Sequence, residues 1–235
     1  MRYLLLLQII LFQLVNTGCQ NVKNGLVQVS TYNSHQEGSV QGRVSLEELK
    51  RFGNMGAGAY PRSDGLMLLI NNDFYQIREN GSAAISPKSS QVSYAIIADF
   101  KPTIDYSTRK TYTLQQFQRA VNRRVSNENA FCFLYIRGHF RALTLQNRLS
   151  HQTSSSGNAE FRHISSIRRL DNVHGTFVGI RTPEYLSGIS PPGYTFYFLN
   201  EARNAGGKVI DTFIINAHVR IDSEHDRFQL KLPPL

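Results

Sequence analysis

Thr195, Tyr197 and Lys208 are the residues whose types and spacing define a chemistry in this chain. Thr195 and Tyr197 stand two apart in the apolar run Tyr194 to Leu199. On an extended strand both project from one face, with Leu199, while Tyr194, Phe196 and Phe198 project from the other. Lys208 follows a Gly206-Gly207 pair and comes beside them if this run and the next strand pair as neighbours. An alcohol, a phenol and an ammonium form a hydrogen-bonding cradle for an anion. They do not form a cation site. A neutral hydroxyl is a poor metal ligand, a phenol must first lose a proton with a pKa of about 10, and an ammonium repels a dication. The plainer reading is that Lys208 extends to solvent and Tyr197 fills core. The chain has seven histidines, among them His139, His151, His163, His174 and His218, with no two at i, i+2. Such scattered imidazoles are ordinarily surface or core residues, and a metal site built from them is the alternative.

The elements that would position these groups can be read from punctuation and periodicity. Phe177 to Ile180 and Tyr194 to Leu199 flank a loop containing Pro183, Gly188, Pro191, Pro192 and Gly193, and Gly206-Gly207 is expected to turn into a third strand, Val209 to Ile215. Upstream, Ser45 to Glu48 reads as a capping box opening a helix, Leu46 to Phe52. Leu66 to Ile70 and Phe74 to Arg78 read as a hairpin around Asn72-Asp73, with a second tight turn at Asn80-Gly81. Tyr94 to Phe100 reads as a strand. Thr113 caps the strongest helical pattern, Thr113 to Val125, and Gln116 completes its box. Phe131 to Arg137 is expected to turn at Gly138-His139 into Phe140 to Leu145. The polar run 152–159 reads as a mobile loop or domain link. Phe161 to Leu170, Ile214 to Ile221 and Phe228 to Leu232 read as later strands, and Leu26 to Thr31 as a leading one.

The central stretch resembles the metal-bearing segment of the alpha-acetolactate decarboxylases, in which G-T-x-V-G leads through P-x-Y and G-I to G-Y-H-x-H-F and then R-x-x-G-G-H. This chain keeps Gly175, Thr176, Val178, Gly179, Pro183, Tyr185, Gly188, Ile189, Gly193, Tyr194, Phe198, Arg203, Gly206 and Gly207. Thr195, Tyr197 and Lys208 stand where the resemblance puts the three zinc-binding histidines. The run DGLMLLINNDFYQIRENGSA resembles the family too, with Leu66 where an active-site acidic residue belongs. Gln146 stands where the family has a catalytic arginine. Arg148, two residues on, either reaches the same pocket by a local shift or lies on the surface.

The resemblance covers roughly Leu46 to Ile215. It implies a zinc ion that polarises acetolactate so that carbon dioxide leaves, a fold shared with those enzymes and a homodimer. With the ligands replaced, it also implies no bound metal and no catalytic residues. Three functions remain open: a non-catalytic protein binding a small anionic ligand or a partner, an active decarboxylase with relocated metal ligands, and a purely structural envelope protein.

Hydrophobic residues make up 41% and charged residues 18% of the 235, enough for a sizeable core rich in β-formers. The expected fold is α+β and mostly β, with a mixed N-terminal sheet carrying a helix and a mainly antiparallel C-terminal sheet. Residues 1–18, with Arg2 before the apolar run Leu4 to Val15, read as an export signal. Gly18-Cys19 suggests a lipoprotein signal, with Cys19 lipidated and membrane-attached. Ordinary cleavage near an incidental thiol is the alternative. Residues 19–44 read as a tether or leading strand, 45–150 and 158–235 as the two sheet domains. The only other cysteine, Cys132, reads as a core thiol. The net charge of +9 is dispersed, and export argues against nucleic acid as a partner.

Overall fold

The computed structural model describes residues 25–36, 44–61, 64–127, 129–155, 158–225 and 227–232. The leader, Cys19 and the tip of the 152–159 run lie outside these. The N-terminal elements are β1 (Gly25–Val29), α1 (Tyr32–Gln36), β2 (Val44–Ser45), α2 (Leu46–Leu49), β3 (Met55–Ala59), β4 (Leu66–Ile70), β5 (Asp73–Ile77), β6 (Ala83–Ile85), β7 (Gln91–Val92) and β8 (Tyr94–Ala98). They are followed by β9 (Ile104–Thr108), β10 (Tyr112–Thr113), α3 (Leu114–Asn122), β11 (Cys132–Ser155), β12 (Asn158–Leu170), β13 (Val173–Thr182), β14 (Gly193–Asn200), β15 (Gly206–Asp222) and β16 (Arg227–Lys231).

Two seven-stranded sheets result. The first runs β16-β1-β8-β3-β4-β5-β6, antiparallel except for the parallel β1–β16 pair. The second runs β10-β15-β14-β13-β11-β12, with β9 also on β15. Its strands β11, β13, β14 and β15 close into a ring, because β11 pairs with both β13 and β15. The architecture is therefore mostly β, with one mixed and one antiparallel sheet, as the sequence suggested. The partition is not sequential. The chain changes sheets between Ala98 and Ile104 and returns to the first sheet in β16. The described residues of the 152–159 run, expected to link two domains, belong to the β11–β12 hairpin, whose register runs from Leu143–Leu170 out to Ser155–Asn158.

Alternation along each strand assigns the cores. Phe196 and Phe198 join Phe140, Phe177 and Leu134 inside the ring, where Phe117 and Val121 of α3 close the packing. Leu199, Val178 and Ile180 face the other way and pack on Leu68, Ile77 and Ile96 of the first sheet. The far face of that sheet is covered by Leu46 and Leu49 of α2 against Met67, Leu69 and Ile97. Complete burial of an aromatic such as Phe117 contributes on the order of 2–3 kcal/mol. The Thr113–Gln116 capping box forms as expected, but the helix ends at Asn122 and packs on the second sheet rather than the first. At α2 the Ser45 hydroxyl accepts from the Glu48 N–H at 3.2 Å, and a 3₁₀ turn carries Lys50–Phe52.

Three turn expectations are corrected. The β4–β5 turn is Asn71-Asn72, at φ of 51° and 72°, one residue earlier than expected. Gly138-His139 is not a turn: β11 runs straight through, and the irregularity there is a register shift against β15. A Cβ on Gly138 would lie 2.3 Å from the Asn216 carbonyl oxygen, so this glycine serves close strand approach. Gly206-Gly207 likewise opens β15. The turn before it is set by Asn200, whose Oδ1 accepts from the Asn204 and Ala205 N–H groups, with Arg203 at φ 57°.

Candidate functional site

Lys208 is register partner to Tyr197 on β14 and to Gln146 on β11. These three residues form a row across three strands on the face that looks toward the first sheet, and Leu66 of β4 lies opposite. All four line one cavity of about 130 Å³ between the sheets. Thr195 does not line it. It pairs with Ile180, on a part of β14 that β15 does not reach, since β14–β15 pairing ends at Tyr197–Lys208. Arg148 lies two residues beyond Gln146, paired with Ser165, in a stretch where only the backbone is described.

The floor is built by close approach. Asn147 is buried, and its Nδ2 donates to the Gly206 carbonyl at 3.3 Å. A Cβ on Gly207 would lie 2.6 Å from Asn147 Oδ1, and one on Gly206 would lie 2.3 Å from the Phe198 carbonyl oxygen. Gly207 leaves the room in which the Asn147 amide sits under β15, and Gly206 lets β15 press against β14. Gln146 is held sideways, its Nε2 donating to Ser165 Oγ at 3.1 Å.

The roof comes from α1, whose residues Tyr32, His35 and Gln36 line the cavity with Pro191. The Tyr32 N–H donates to the Ile189 carbonyl at 2.7 Å, and that of Asn33 to the Gly188 carbonyl at 3.2 Å. Buried Gln28 ties both segments down: its Nε2 donates to the Ile189 carbonyl at 2.6 Å, and its Oε1 accepts from Ser190. His35 stacks on Tyr94 at 5.7 Å, with its Nδ1 3.3 Å from Ser93 Oγ, and Tyr32 meets Tyr94 edge-on at 6.2 Å.

Tyr94 carries the polar group of greatest consequence. The residue is 5% exposed and lines the cavity. Its hydroxyl is buried and has no hydrogen-bond partner within ordinary reach. Burial pushes this phenol far above its usual range, with Tyr197 adding to the effect and nearby Ser190 offsetting part of it. Burial also raises the Tyr197 phenol, and Tyr32 reinforces the shift. Both phenols therefore stay protonated and act as donors. No Asp or Glu is among the described lining residues, and Lys208 supplies the fixed charge.

These groups do not fit the zinc ion that the family resemblance implies. Zinc takes imidazole, thiolate or carboxylate ligands in a tetrahedral set. Among the described residues the cavity offers one imidazole (His35), three phenols, of which burial holds Tyr94 and Tyr197 protonated, and an ammonium. Among the described residues, no three His, Cys, Asp or Glu side chains are placed to hold one ion. Sequence reasoning missed Tyr94, His35 and Asn147. Tyr94 opens an apolar run and reads as core, and α1 lies in a polar stretch without an amphipathic pattern.

A closed antiparallel ring packed on a second, mixed sheet, with a small cavity where the two meet, defines the class of this protein. The family model for alpha-acetolactate decarboxylase matches residues 26–234, and the chain belongs to that family. It is 28% identical over 208 residues to the alpha-acetolactate decarboxylase of Bacillus subtilis, covering 88% of this chain and 81% of that one. It is 29% identical over 206 residues to that of Methylococcus capsulatus, covering 88% and 79%. The crystal structure of acetolactate decarboxylase from Bacillus subtilis subspecies spizizenii superposes with a TM-score of 0.81 at 27% identity, over 90% of each chain.

Proposed function

We propose that this protein uses the decarboxylase fold without the zinc-dependent reaction and holds a small anionic ligand in the cavity between its sheets. The observation that carries this reading is the convergence of Lys208, Tyr197 and Tyr94, whose hydroxyl is buried and unpartnered, on one space lined by no carboxylate among the described residues. An ammonium in such a place attracts an anion, and charge-assisted hydrogen bonds contribute about 1.5–3 kcal/mol each. The Leu66, Ile77 and Ala59 side chains give the ligand an apolar wall. The volume of about 130 Å³ suits a molecule of a few heavy atoms. The positions that the resemblance assigns to metal ligands and to the acidic group carry Tyr197, Lys208 and Leu66, which removes Lewis-acid and proton-transfer chemistry together. We also propose export, with Cys19 as a lipid anchor. A Cys19→Ala variant remaining in the membrane fraction would remove that part of the proposal.

Calorimetric titration of short hydroxy- and oxo-carboxylates, against their uncharged amides, tests the ligand reading. Binding of carboxylates but not amides, weakened ten- to hundredfold in Lys208→Met, is expected. Equal binding of acids and amides, or an unchanged Lys208→Met variant, would refute it.

A further inference from the structure

A second cleft, of about 490 Å³, opens on the barrel surface and shares no lining residue with the cavity. On β11 the two sites are centred seven residues apart, at His139 and Gln146, roughly 20 Å along an extended strand. His139 and His174 are cross-strand register partners on β11 and β13, so their side chains share a face. Their rings stack with centroids 4.5 Å apart and planes 13° from parallel. Neither ring makes a hydrogen bond or ion pair among the described residues.

Arg109 also lines the cleft, and two of the other charged or ionisable groups around this pair are matched within it or beside it. Arg137 meets Glu201 at 3.1 Å, and His218 meets Asp105 at 2.6 Å. The next rung is Gly138–Gly175, which presents no side chains beside the imidazoles. Asn216, register partner of His139 on its other side, also lines the cleft.

We propose that His139 and His174 form a two-imidazole binding site for a divalent first-row transition ion, with water completing the coordination. Two ring nitrogens must approach the ion to about 2.0–2.1 Å, and the stack already brings the two rings together. Imidazole ligands favour copper over nickel and zinc, so Cu²⁺ is the tightest of the three. The site lies outside the cavity and implies nothing about decarboxylation. Sequence spacing concealed it, because the two histidines are 35 positions apart and meet only through strand pairing.

The test is titration of chelator-treated, tag-free full-length protein with CuCl₂ and ZnCl₂ by calorimetry, with electron paramagnetic resonance of the copper form. The expected result is one Cu²⁺ bound tighter than Zn²⁺, with a two-nitrogen signature. Affinity should fall at least tenfold in His139→Asn and in His174→Asn, and hold in His218→Asn. His174 is exposed, so its variant tests the site without disturbing the core. Wild-type copper binding in both variants, equal loss in His218→Asn, or uptake of inorganic phosphate instead of copper would each overturn the proposal.

Discussion

Tyr197 and Lys208 form the last rung between β14 and β15. The two strands pair over only three positions, Leu199–Gly206, Phe198–Gly207 and Tyr197–Lys208. The phenol and the ammonium are thus fixed side by side at the edge of a short ladder, and the cavity opens onto them. Thr195, two residues farther along β14, lies past that edge. The pair faces the apolar wall of Leu66 and Ile77 across the cavity.

Tyr94→Phe should separate stability from binding. The wild-type hydroxyl is buried without a partner, which costs on the order of 1–3 kcal/mol. Its removal should raise the unfolding free energy by about 1 kcal/mol while weakening carboxylate binding severalfold. Urea denaturation and calorimetry read the two quantities. A variant that loses stability and keeps its affinity would show that this hydroxyl serves the fold.

Gly207→Ala should destabilise through a steric conflict rather than a turn. The new methyl would lie 2.6 Å from the side-chain oxygen of Asn147, which is buried and bonded to Gly206. Overpacking of this kind costs about 1–3 kcal/mol. In a chain of this size each kcal/mol lowers Tm by roughly 2–4 °C. An Asn147→Ala change in the same background should recover part of the loss, as thermal denaturation would report.

Restoring imidazoles should restore a metal. Tyr197→His with Lys208→His places two rings on adjacent strands in register, facing the cavity. Adding Leu66→Glu supplies a carboxylate from the opposite sheet. The triple variant should retain zinc through gel filtration where the parent does not. Equal zinc content in the two proteins would mean that more than the ligands separates this cavity from a metal centre.

Alkaline pH should unfold the protein in a defined window. Burial pushes the Tyr60 phenol up to about 12 from 10, with the Ser86 hydrogen bond opposing and Asp64 adding. Burial likewise raises the Cys132 thiol from 9 to about 12, with Arg181 opposing. Both are acids kept neutral by the fold. Their contribution is complete below pH 9 and is lost as pH rises toward 12, because the unfolded chain releases protons that the folded chain retains. Each group costs up to about 1.4 kcal/mol per pH unit in that range. Urea denaturation at pH 8, 9.5 and 10.5, with absorbance of phenolate near 295 nm, should show falling stability and, above the signal of exposed tyrosines such as Tyr185, a further rise in phenolate that accompanies unfolding.

Strand alternation carried most of the fold that was legible in the sequence. The faces of β14 follow directly from alternation, and the Thr113–Gln116 box appears where its residue types placed it. Local chemistry misled where a glycine had a tertiary reason: Gly138, Gly206 and Gly207 read as turns but serve strands pressed together. Four site residues, Leu66, Gln146, Tyr197 and Lys208, were named from sequence. Thr195 was misplaced because the length of the β14–β15 ladder is not written in either strand alone. Tyr94, His35 and the His139–His174 stack come from pairings between distant segments, which no local spacing encodes.

The central claim is that a cavity furnished with an ammonium and protonated phenols does not run zinc chemistry. Acetoin formation from acetolactate, measured with purified protein in the presence and absence of added zinc, tests it most directly. The account predicts acetoin no faster than the uncatalysed background under both conditions. Zinc-dependent acetoin release that scales with protein concentration would contradict it.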